Sequence, residues 1–169
     1  MDADDREPIE REAAHPRARE LMTDAFFWDE RDEGAPLGSD TGNETLGLYR
    51  AFRDEHPEAS ALTLLGEVCA RWEVLDEHWD DVTEEAVAAA GAEDEFSLLT
   101  RDELVLALAF AELLETGRID PEVQRRAILA TMRQELKPLL LPWGDRDRVL
   151  ERATRLERMR RVLTAATVS

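Results

Sequence analysis

The chain has 169 residues, of which 43% are hydrophobic, and it carries a formal net charge of −18. This length and apolar fraction suit one globular domain with a buried core, so a disordered chain is not the expected structure. No apolar run approaches the roughly 18–20 residues of a membrane span, and the acidic first residues lack the apolar stretch of a secretory signal. Cys69 is the only cysteine, which excludes an internal disulfide. We therefore expect a cytoplasmic protein without a membrane partner.

The negative charge is concentrated in the first two thirds of the chain. Residues 1–117 carry 32 acidic and nine basic side chains, whereas residues 118–169 carry seven acidic and 12 basic ones. The C-terminal helices either form ion pairs with the acidic part or present a separate face to an acidic partner. The acidity itself has two interpretations, adaptation to high salt in a possible halophile or the amino-acid bias of a GC-rich genome. In both cases the field repels phosphates, so nucleic acid is not an expected partner.

The N-terminal part of the chain is predicted to be irregular. Residues 1–14 carry many charges and one large apolar side chain, Ile9, which indicates a flexible acidic arm before a single helical domain over 15–169. Proline suits the first position of a helix, so His15-Pro16 predicts a first helix over roughly 16–27. Residues 28–42 then contain three glycines and a proline, which predicts a long loop.

Three helices are predicted after this loop. Ser39 or Asp40 can cap the first of them, which ends at His56-Pro57 because the residue before proline avoids the α region. Apolar side chains at helical spacing predict the second helix, from about Ser60 to Val74. An alanine-rich run over about 80–90 predicts a short third helix that ends near Gly91.

The last third of the chain carries the clearest helix signals. Thr100-Arg-Asp-Glu103 has the pattern of a capping box, which predicts the start of a central apolar helix that ends at Gly117. Asp120-Pro121 predicts the start of a helix to about residue 137, and Asp145 the start of a last helix to about residue 166. No segment alternates with a period of two. The sequence thus predicts an all-α fold, a single irregular bundle of six to seven helices without a significant sheet.

The sequence contains none of the common catalytic signatures. It lacks the phosphate-binding GxxxxGK[ST], the dinucleotide-binding GxGxxG, the zinc-binding HExxH and the GxSxG nucleophile motif. The three histidines lie at least 22 residues apart, so no pair can share one helix face. Cys69 falls on an apolar helix face, where a small buried hydrophobe is expected. No catalytic residue, cofactor or metal site is predicted, which favours a non-enzymatic protein.

The acidic loop over 24–43 is the best candidate for a binding site. It combines carboxylates with a tryptophan, a residue that often anchors binding interfaces. Its glycines and Asp40 also suit a purely structural turn and cap, and the length from Asp29 to Asp40 suits a calcium loop, although Arg31 stands at a ligand position. These interpretations stay open. The candidate binding residues are Trp28, Asp29, Asp32, Asp40, Thr41 and Asn43.

The last predicted helix carries seven arginines over 146–161, which raises the question of nucleic-acid binding. Acidic residues are interleaved with them, and Asp147, Glu151 and Arg155 follow one another at four-residue spacing. Such spacing favours ion pairs along the helix. The pattern therefore predicts a solvated, salt-bridged face.

Residues 15–60 resemble the opening of the YfeS-like group of uncharacterised bacterial proteins. The resemblance is carried by His15-Pro16, Phe27-Trp28-Asp29, Ala35-Pro36 and the turn Gly38-x-Asp40-Thr41-Gly42. It covers about a quarter of the chain. The group has no established activity, so the resemblance implies no catalytic residue. Some members occur beside a WGR module, but this chain contains no Trp-Gly-Arg tripeptide.

Two hypotheses for the function follow. The first is a non-enzymatic protein-interaction or regulatory module, because an acidic field can steer a basic protein partner. The second is a ligand-binding protein or metal-dependent hydrolase with its site at the loop over 24–43, where Asp29, Asp32 and Asp40 would handle a divalent ion or a proton. The oligomeric state is not predicted.

Overall fold

The computed structural model describes residues 5–167, except for the side chain of residue 95, and every regular element within them is helical. The α-helices are α1 (Pro16–Leu21), α2 (Asp40–Glu55), α3 (Ala61–Arg71), α4 (Glu84–Thr116), α5 (Pro121–Gln134), α6 (Lys137–Leu140) and α7 (Arg146–Ala165). One 3-10 segment precedes α1 at Arg11–Ala13, and others lie at Ala25–Trp28, between α1 and α2, and at Leu141–Trp143, between α6 and α7. The predicted all-α class is confirmed for this part of the chain.

The predicted number of helices is slightly low. The backbone of α4 is not helical at Asp94, where φ is −161° and ψ is 86°, so the described residues form eight α-helical segments rather than six or seven. The additional short helix, α6, contains Pro138 in its first turn, a position that proline tolerates. The sequence predicted no helix between about residue 137 and Asp145.

The predicted start at Thr100 is wrong. Thr100 lies inside α4, which begins at Glu84. This helix continues through Gly91, where the sequence predicted that a short helix ends. The capping role belongs to Asp94, whose carboxylate accepts a hydrogen bond from the Ser97 N–H at 3.0 Å. A capping box is thus present in the sequence without serving as a helix start, because the preceding residues continue the helix.

Three other predicted helix starts, those at Ser39, Asp120 and Asp145, are confirmed by side-chain caps. The Ser39 hydroxyl accepts from the Gly42 N–H at 2.9 Å, and the Asp145 carboxylate accepts from the Arg148 N–H at 3.0 Å. Asp120 caps α5 by accepting from the Glu122 N–H at 2.9 Å. The predicted first helix over 16–27 is too long, because α1 ends at Leu21 and a separate 3-10 turn follows.

Helix α4 is the centre of the bundle. It packs against α1, α2, α3, α5 and α6, and its residues from Leu104 to Leu114 are buried on nearly every side. Phe110 of this stretch stacks on Phe27 with ring centroids 5.4 Å apart. Cys69 is buried in the same core, as predicted, and burial raises the pKa of its thiol to about 11. No helix among the described residues combines the length and apolar character needed to cross a membrane.

A small second core lies beyond the break in α4. It consists of Val87, Leu98 and Leu139, with Ala90 and Leu136 packed at its edge. The first part of α4 is therefore supported by these few side chains, whereas the part from Leu104 onward belongs to the main core.

Residues 5–14, predicted as part of a flexible acidic arm, contact the helical domain. Ile9 is buried, Arg6 donates to the Gly38 carbonyl at 3.1 Å, and the Glu7 N–H donates to the Asn43 side chain at 2.8 Å. Residues 1–4 lie outside the described residues. The division into an arm and a domain stays a prediction.

The basic C-terminal part of the chain forms ion pairs with the acidic part. From α7, Arg155 pairs with Asp32 and Arg158 with Asp24, and from α5, Arg126 pairs with Asp76. Further pairs along or beside α7 join Arg160 to Glu135 and Arg161 to Glu157. The first of the two interpretations of the charge asymmetry is therefore supported.

A fully buried carboxylate joins α4 to α5. Asp102 is 0% exposed and accepts from the Arg133 Nη2 at 2.9 Å and from the Gln134 Nε2 at 2.7 Å. The remaining Arg133 nitrogen, Nη1, donates to the carbonyl oxygens of Trp79 at 3.1 Å and Asp81 at 2.8 Å. Arg101, also buried, donates to the Glu77 carbonyl and lies over the Trp79 ring. These buried arginines fix the segment between α3 and α4 to the core.

We predict that Asp102→Asn lowers the free energy of unfolding by about 3 kcal/mol, because it leaves buried arginines without their counter-charge. Urea unfolding followed by circular dichroism measures the change. The exposed carboxylate of Asp54 on α2 provides the control, since Asp54→Asn should change stability by less than about 0.5 kcal/mol. A similarly small effect of Asp102→Asn would contradict the role given to this carboxylate.

Candidate functional site

The loop predicted as a binding site is compact and internally bonded. Gly38 lies against the backbone, and a Cβ atom there would come within 2.2 Å of the Asp32 carbonyl oxygen and 2.5 Å of that of Asp29. Glycine is required at this position because any side chain would collide with the loop itself. The glycines of the loop thus allow the chain to turn closely on itself.

The structure gives Trp28, Asp29 and Asp32 separate partners. The Trp28 indole N–H donates to the Met22 carbonyl at 2.8 Å, and the Asp29 carboxylate accepts from the Arg31 N–H at 3.0 Å. Asp32 accepts from the Gly34 N–H at 2.8 Å and also pairs with an α7 arginine. These three side chains do not converge on one point.

The other three predicted residues lie at the start of α2. Asp40 is exposed and pairs with Arg6, while Asn43 is only 1% exposed and its amide is used inside the protein. The Asn43 Nδ2 donates to the carbonyl oxygens of Glu7 at 3.0 Å and Leu37 at 3.3 Å. Thr41 forms a hydrogen bond with the half-buried Glu103 of α4. Asp40 and Thr41 are therefore the predicted residues that the structure brings together.

Asp40 and Thr41 line a cavity of about 460 Å³ between the loop, α4 and the segment after α6. Trp143, Leu139 and Leu99 supply apolar walls, and Glu103 supplies a carboxyl whose pKa is raised, mainly by burial. Behind this wall Arg152 stacks on the Trp143 ring at 4.2 Å, and burial lowers its pKa to about 10. The cavity can hold a small molecule. Among the described residues, no group of three or more His, Cys, Asp or Glu side chains is placed to bind a metal ion.

A larger concave surface lies elsewhere, between the segment joining α3 to α4 and the first part of α4. We call it the acidic groove, and its volume is about 710 Å³. Its floor is apolar and made of small side chains, including Val74, Ala86, Ala89, Ala90 and Leu98. Six carboxylates line it, those of Glu73, Asp76, Glu77, Asp81, Glu93 and Asp94.

One wall of the acidic groove has an irregular but fixed backbone. Glu73 and His78 adopt positive φ angles of 55° and 61°, a conformation that non-glycine residues rarely adopt. The Trp79 indole N–H donates to the Asp76 carboxylate at 3.0 Å, and the ring lies between the guanidinium groups of Arg101 at 4.6 Å and Arg126 at 4.9 Å. Together with the carbonyl contacts of Arg101 and Arg133, these bonds hold the Asp76 carboxylate and the backbone of this wall in place.

The sequence analysis did not identify the acidic groove. The available signal was the run of acids from Asp76 to Asp81, which stands beside the alanine-rich start of α4. Neither feature indicates a groove alone. The groove forms because Arg133, 54 residues after Trp79, attaches the acidic segment to α5.

The comparisons with known proteins agree with the sequence resemblance. The chain is 27% identical over 135 residues to a protein of Escherichia coli K12 described as uncharacterized protein YfeS. The match covers 78% of this chain, which spans about half (54%) of the length of that relative. No family model matches the chain, and no solved structure matches it. The relationship to YfeS thus extends well beyond residues 15–60.

We predict that Asn43→Ala lowers the free energy of unfolding by about 2–3 kcal/mol, because it leaves buried backbone groups of Glu7 and Leu37 without partners. Thermal or urea unfolding measures the loss. The neighbouring exposed Glu44 gives a matched control, and Glu44→Ala should change stability by less than about 0.5 kcal/mol. Equal effects of the two substitutions would show that the Asn43 contacts do not stabilise the loop.

Proposed function

We propose that this protein is a non-enzymatic interaction module whose acidic groove binds a basic segment of a partner protein. The observation that carries the proposal is the combination of six carboxylates with an apolar floor in one groove of about 710 Å³. Lysine and arginine side chains match such a surface, because their methylene stems cover apolar atoms while their charged ends reach carboxylates.

The charge of the groove supports a basic partner over a neutral one. Glu73 and Glu93 form no ion pair with any described residue, and the ion pairs of Glu77 and Asp81 among these residues are with the His78 imidazole. The buried Arg101 also attracts the Asp81 charge. Asp76 has a weak pairing with Arg126 at 3.7 Å. The groove therefore retains most of its negative charge, and the field of the whole chain adds to the attraction.

The fixed wall of the groove supports binding without a large ordering cost. Its backbone is held by Arg101 and Arg133 before any partner arrives, so the backbone that carries these carboxylates loses little freedom on binding. Preorganisation of this kind raises affinity because less entropy is lost in the complex.

An exposed aromatic side chain extends the groove. Phe96 is 77% exposed, and with Trp72 and Val74 it lines a shallow depression of about 310 Å³. Val74 also lies in the floor of the acidic groove. An apolar side chain next to the basic residues of the partner would complete the match.

A second candidate function is the binding of a small ligand in the cavity beside Asp40 and Thr41. The observation that favours it is the mixed lining of that cavity, with Trp143 on one side and Glu103 on another. The hydrolase form of this hypothesis lacks such support, since Asp29 and Asp32 bond to separate groups away from Asp40.

We predict that a groove variant combining Glu73→Gln, Glu77→Gln and Glu93→Gln binds a basic amphipathic lysine–leucine peptide about tenfold or more weakly than the wild-type protein. Each lost charge pair at a partly exposed rim is worth about 0.5–1 kcal/mol, and three such losses reach a factor of about ten. Fluorescence anisotropy of a labelled peptide at moderate salt measures the affinity.

The matched control removes the same charge elsewhere, through Glu12→Gln, Glu20→Gln and Asp54→Asn, all on exposed side chains away from the groove. The control should bind the peptide nearly as well as the wild-type protein. If both triple variants lose affinity equally, the attraction belongs to the overall field and the groove is not the binding site.

We predict that Phe96→Ser weakens binding of the same peptide several-fold and leaves the free energy of unfolding within about 0.5 kcal/mol of the wild-type value. The side chain is exposed, so its removal costs no core packing. Anisotropy and urea unfolding give the two values. Unchanged affinity would remove Phe96 from the proposed surface.

A further inference from the structure

A separate cavity lies where α2 and the end of α4 face each other. We call it the α2–α4 cavity, and its volume is about 590 Å³. It shares no residue with the acidic groove. Its apolar lining includes Phe52, Pro57 and Ile119.

Glu112 provides the central carboxyl group of the α2–α4 cavity. It is half-buried, and its Oε1 accepts a hydrogen bond from the Asp120 N–H at 2.7 Å. No cation among the described residues forms an ion pair with it. Burial raises the pKa of Glu112 to about 7, and the neighbouring Asp120 charge adds to the shift. The group is thus a carboxylate that lacks a counter-ion.

Tyr49 contributes a second unused polar group. The residue is 4% exposed and lines the cavity, and its hydroxyl forms no hydrogen bond with any other described residue. Burial and the nearby Glu112 charge raise the pKa of Tyr49 to about 12, so the hydroxyl stays neutral. Buried tyrosine hydroxyls usually have a partner. This one is available to an occupant of the cavity.

The other acidic groups of the cavity are already engaged or solvated. Glu115 pairs with the Arg50 Nε at 2.6 Å. Asp120 caps α5 and accepts from the Ser60 hydroxyl at 2.6 Å. Glu58 is exposed at the rim.

The basic groups facing the cavity are also accounted for. Arg53 donates to the Glu115 carbonyl at 3.1 Å, and Arg118 is exposed at the rim. The His15 Nδ1 accepts from the Arg17 N–H at 3.1 Å, and the exposed His56 ring lies 5.3 Å from that of Phe52. Arg118 attracts the Glu112 carboxylate and offsets part of the rise in its pKa, but none of these groups forms an ion pair with Glu112.

We propose that the α2–α4 cavity binds a small primary ammonium compound with an apolar body. The ammonium group would donate hydrogen bonds to the Glu112 carboxylate and to the Tyr49 hydroxyl oxygen, and the apolar body would pack on Phe52 and Ile119. A half-buried carboxylate and aromatic faces are the groups that recognise such cations. An anionic ligand would meet the Glu112 charge in a molecule of net charge −18, which opposes its entry.

Binding of the ammonium group is coupled to the release of a proton. At a pH below the pKa of Glu112, the carboxylic acid must lose its proton to the solvent when the carboxylate takes the ammonium as its partner. The affinity should therefore fall as the pH decreases through about 7. From pH 8 to pH 6 the ionised fraction of the free carboxyl falls from about nine-tenths to about one-tenth, so the affinity falls about tenfold.

Isothermal titration calorimetry with benzylammonium chloride tests the proposal, with benzyl alcohol as the neutral analogue of the same shape. The wild-type protein should bind the cation at pH 8, bind it about tenfold more weakly at pH 6, and bind the alcohol at least tenfold more weakly at either pH. Absence of cation binding, equal binding of the two probes, or a pH-independent affinity would each overturn the proposal.

Two variants assign the effect to this cavity. Glu112→Gln keeps an acceptor for the Asp120 N–H and removes the charge, so it should abolish the pH dependence and weaken cation binding about tenfold or more. Tyr49→Phe should weaken binding several-fold. Glu58→Gln at the rim is the matched control and should bind the cation within about twofold of the wild-type protein. Wild-type behaviour of Glu112→Gln would overturn the proposal.

Discussion

The Asp102 carboxylate is the interaction on which the arrangement of the two sides of the molecule depends. It lies between α4 and α5 and is bound by Arg133 and Gln134, while Arg101 stands beside it at 3.7 Å. Two arginines and one carboxylate leave a positive excess inside the protein, which is costly unless the remaining donors are satisfied. The carbonyl oxygens of the segment between α3 and α4 accept hydrogen bonds from some of these arginine donors. The burial of the arginines and the shape of the groove wall are therefore one structural feature.

The positions of the arginines also determine which carboxylates of the chain have ion-pair partners. Arginines of α7 form ion pairs with carboxylates of the acidic loop over 24–43, such as Asp32 and Asp24. The negative charge of this loop, which the sequence indicated as the best candidate site, is therefore partly neutralised. The buried Arg101 and Arg133 next to the acidic groove instead donate hydrogen bonds to Asp102 and to backbone carbonyl oxygens. The number of acidic residues does not distinguish the acidic loop from the acidic groove, but their neighbouring arginines do. Glu73 and Glu93 of the groove, in contrast to Asp32 and Asp24, form no ion pair with any described residue.

The sequence predicted the helical class and most helix starts because these are set locally. Ser39, Asp120 and Asp145 are short polar residues that accept hydrogen bonds from amides two or three positions ahead. Contacts this local can be predicted from the sequence. The start at Thr100 failed because the same pattern can occur inside a helix, where upstream residues decide its state. The acidic groove could not be predicted, since its wall is held by Arg133 across 54 residues. The predicted loop residues were separated for a similar reason, because distant arginines such as Arg155 and Arg6 bind them individually.

The break at Asp94 divides α4 into two parts that differ in how many buried apolar side chains support them. Residues from Leu104 onward belong to the main core, whereas the turns before Asp94 rest on the three-residue cluster of Val87, Leu98 and Leu139. A segment with so few apolar contacts can open while the rest of the protein stays folded, and its amides then exchange with deuterium without global unfolding. During folding, the bundle can form first and this segment can dock last. The outer wall of the groove is in this sense a local folding unit, whose stability a bound partner would raise selectively.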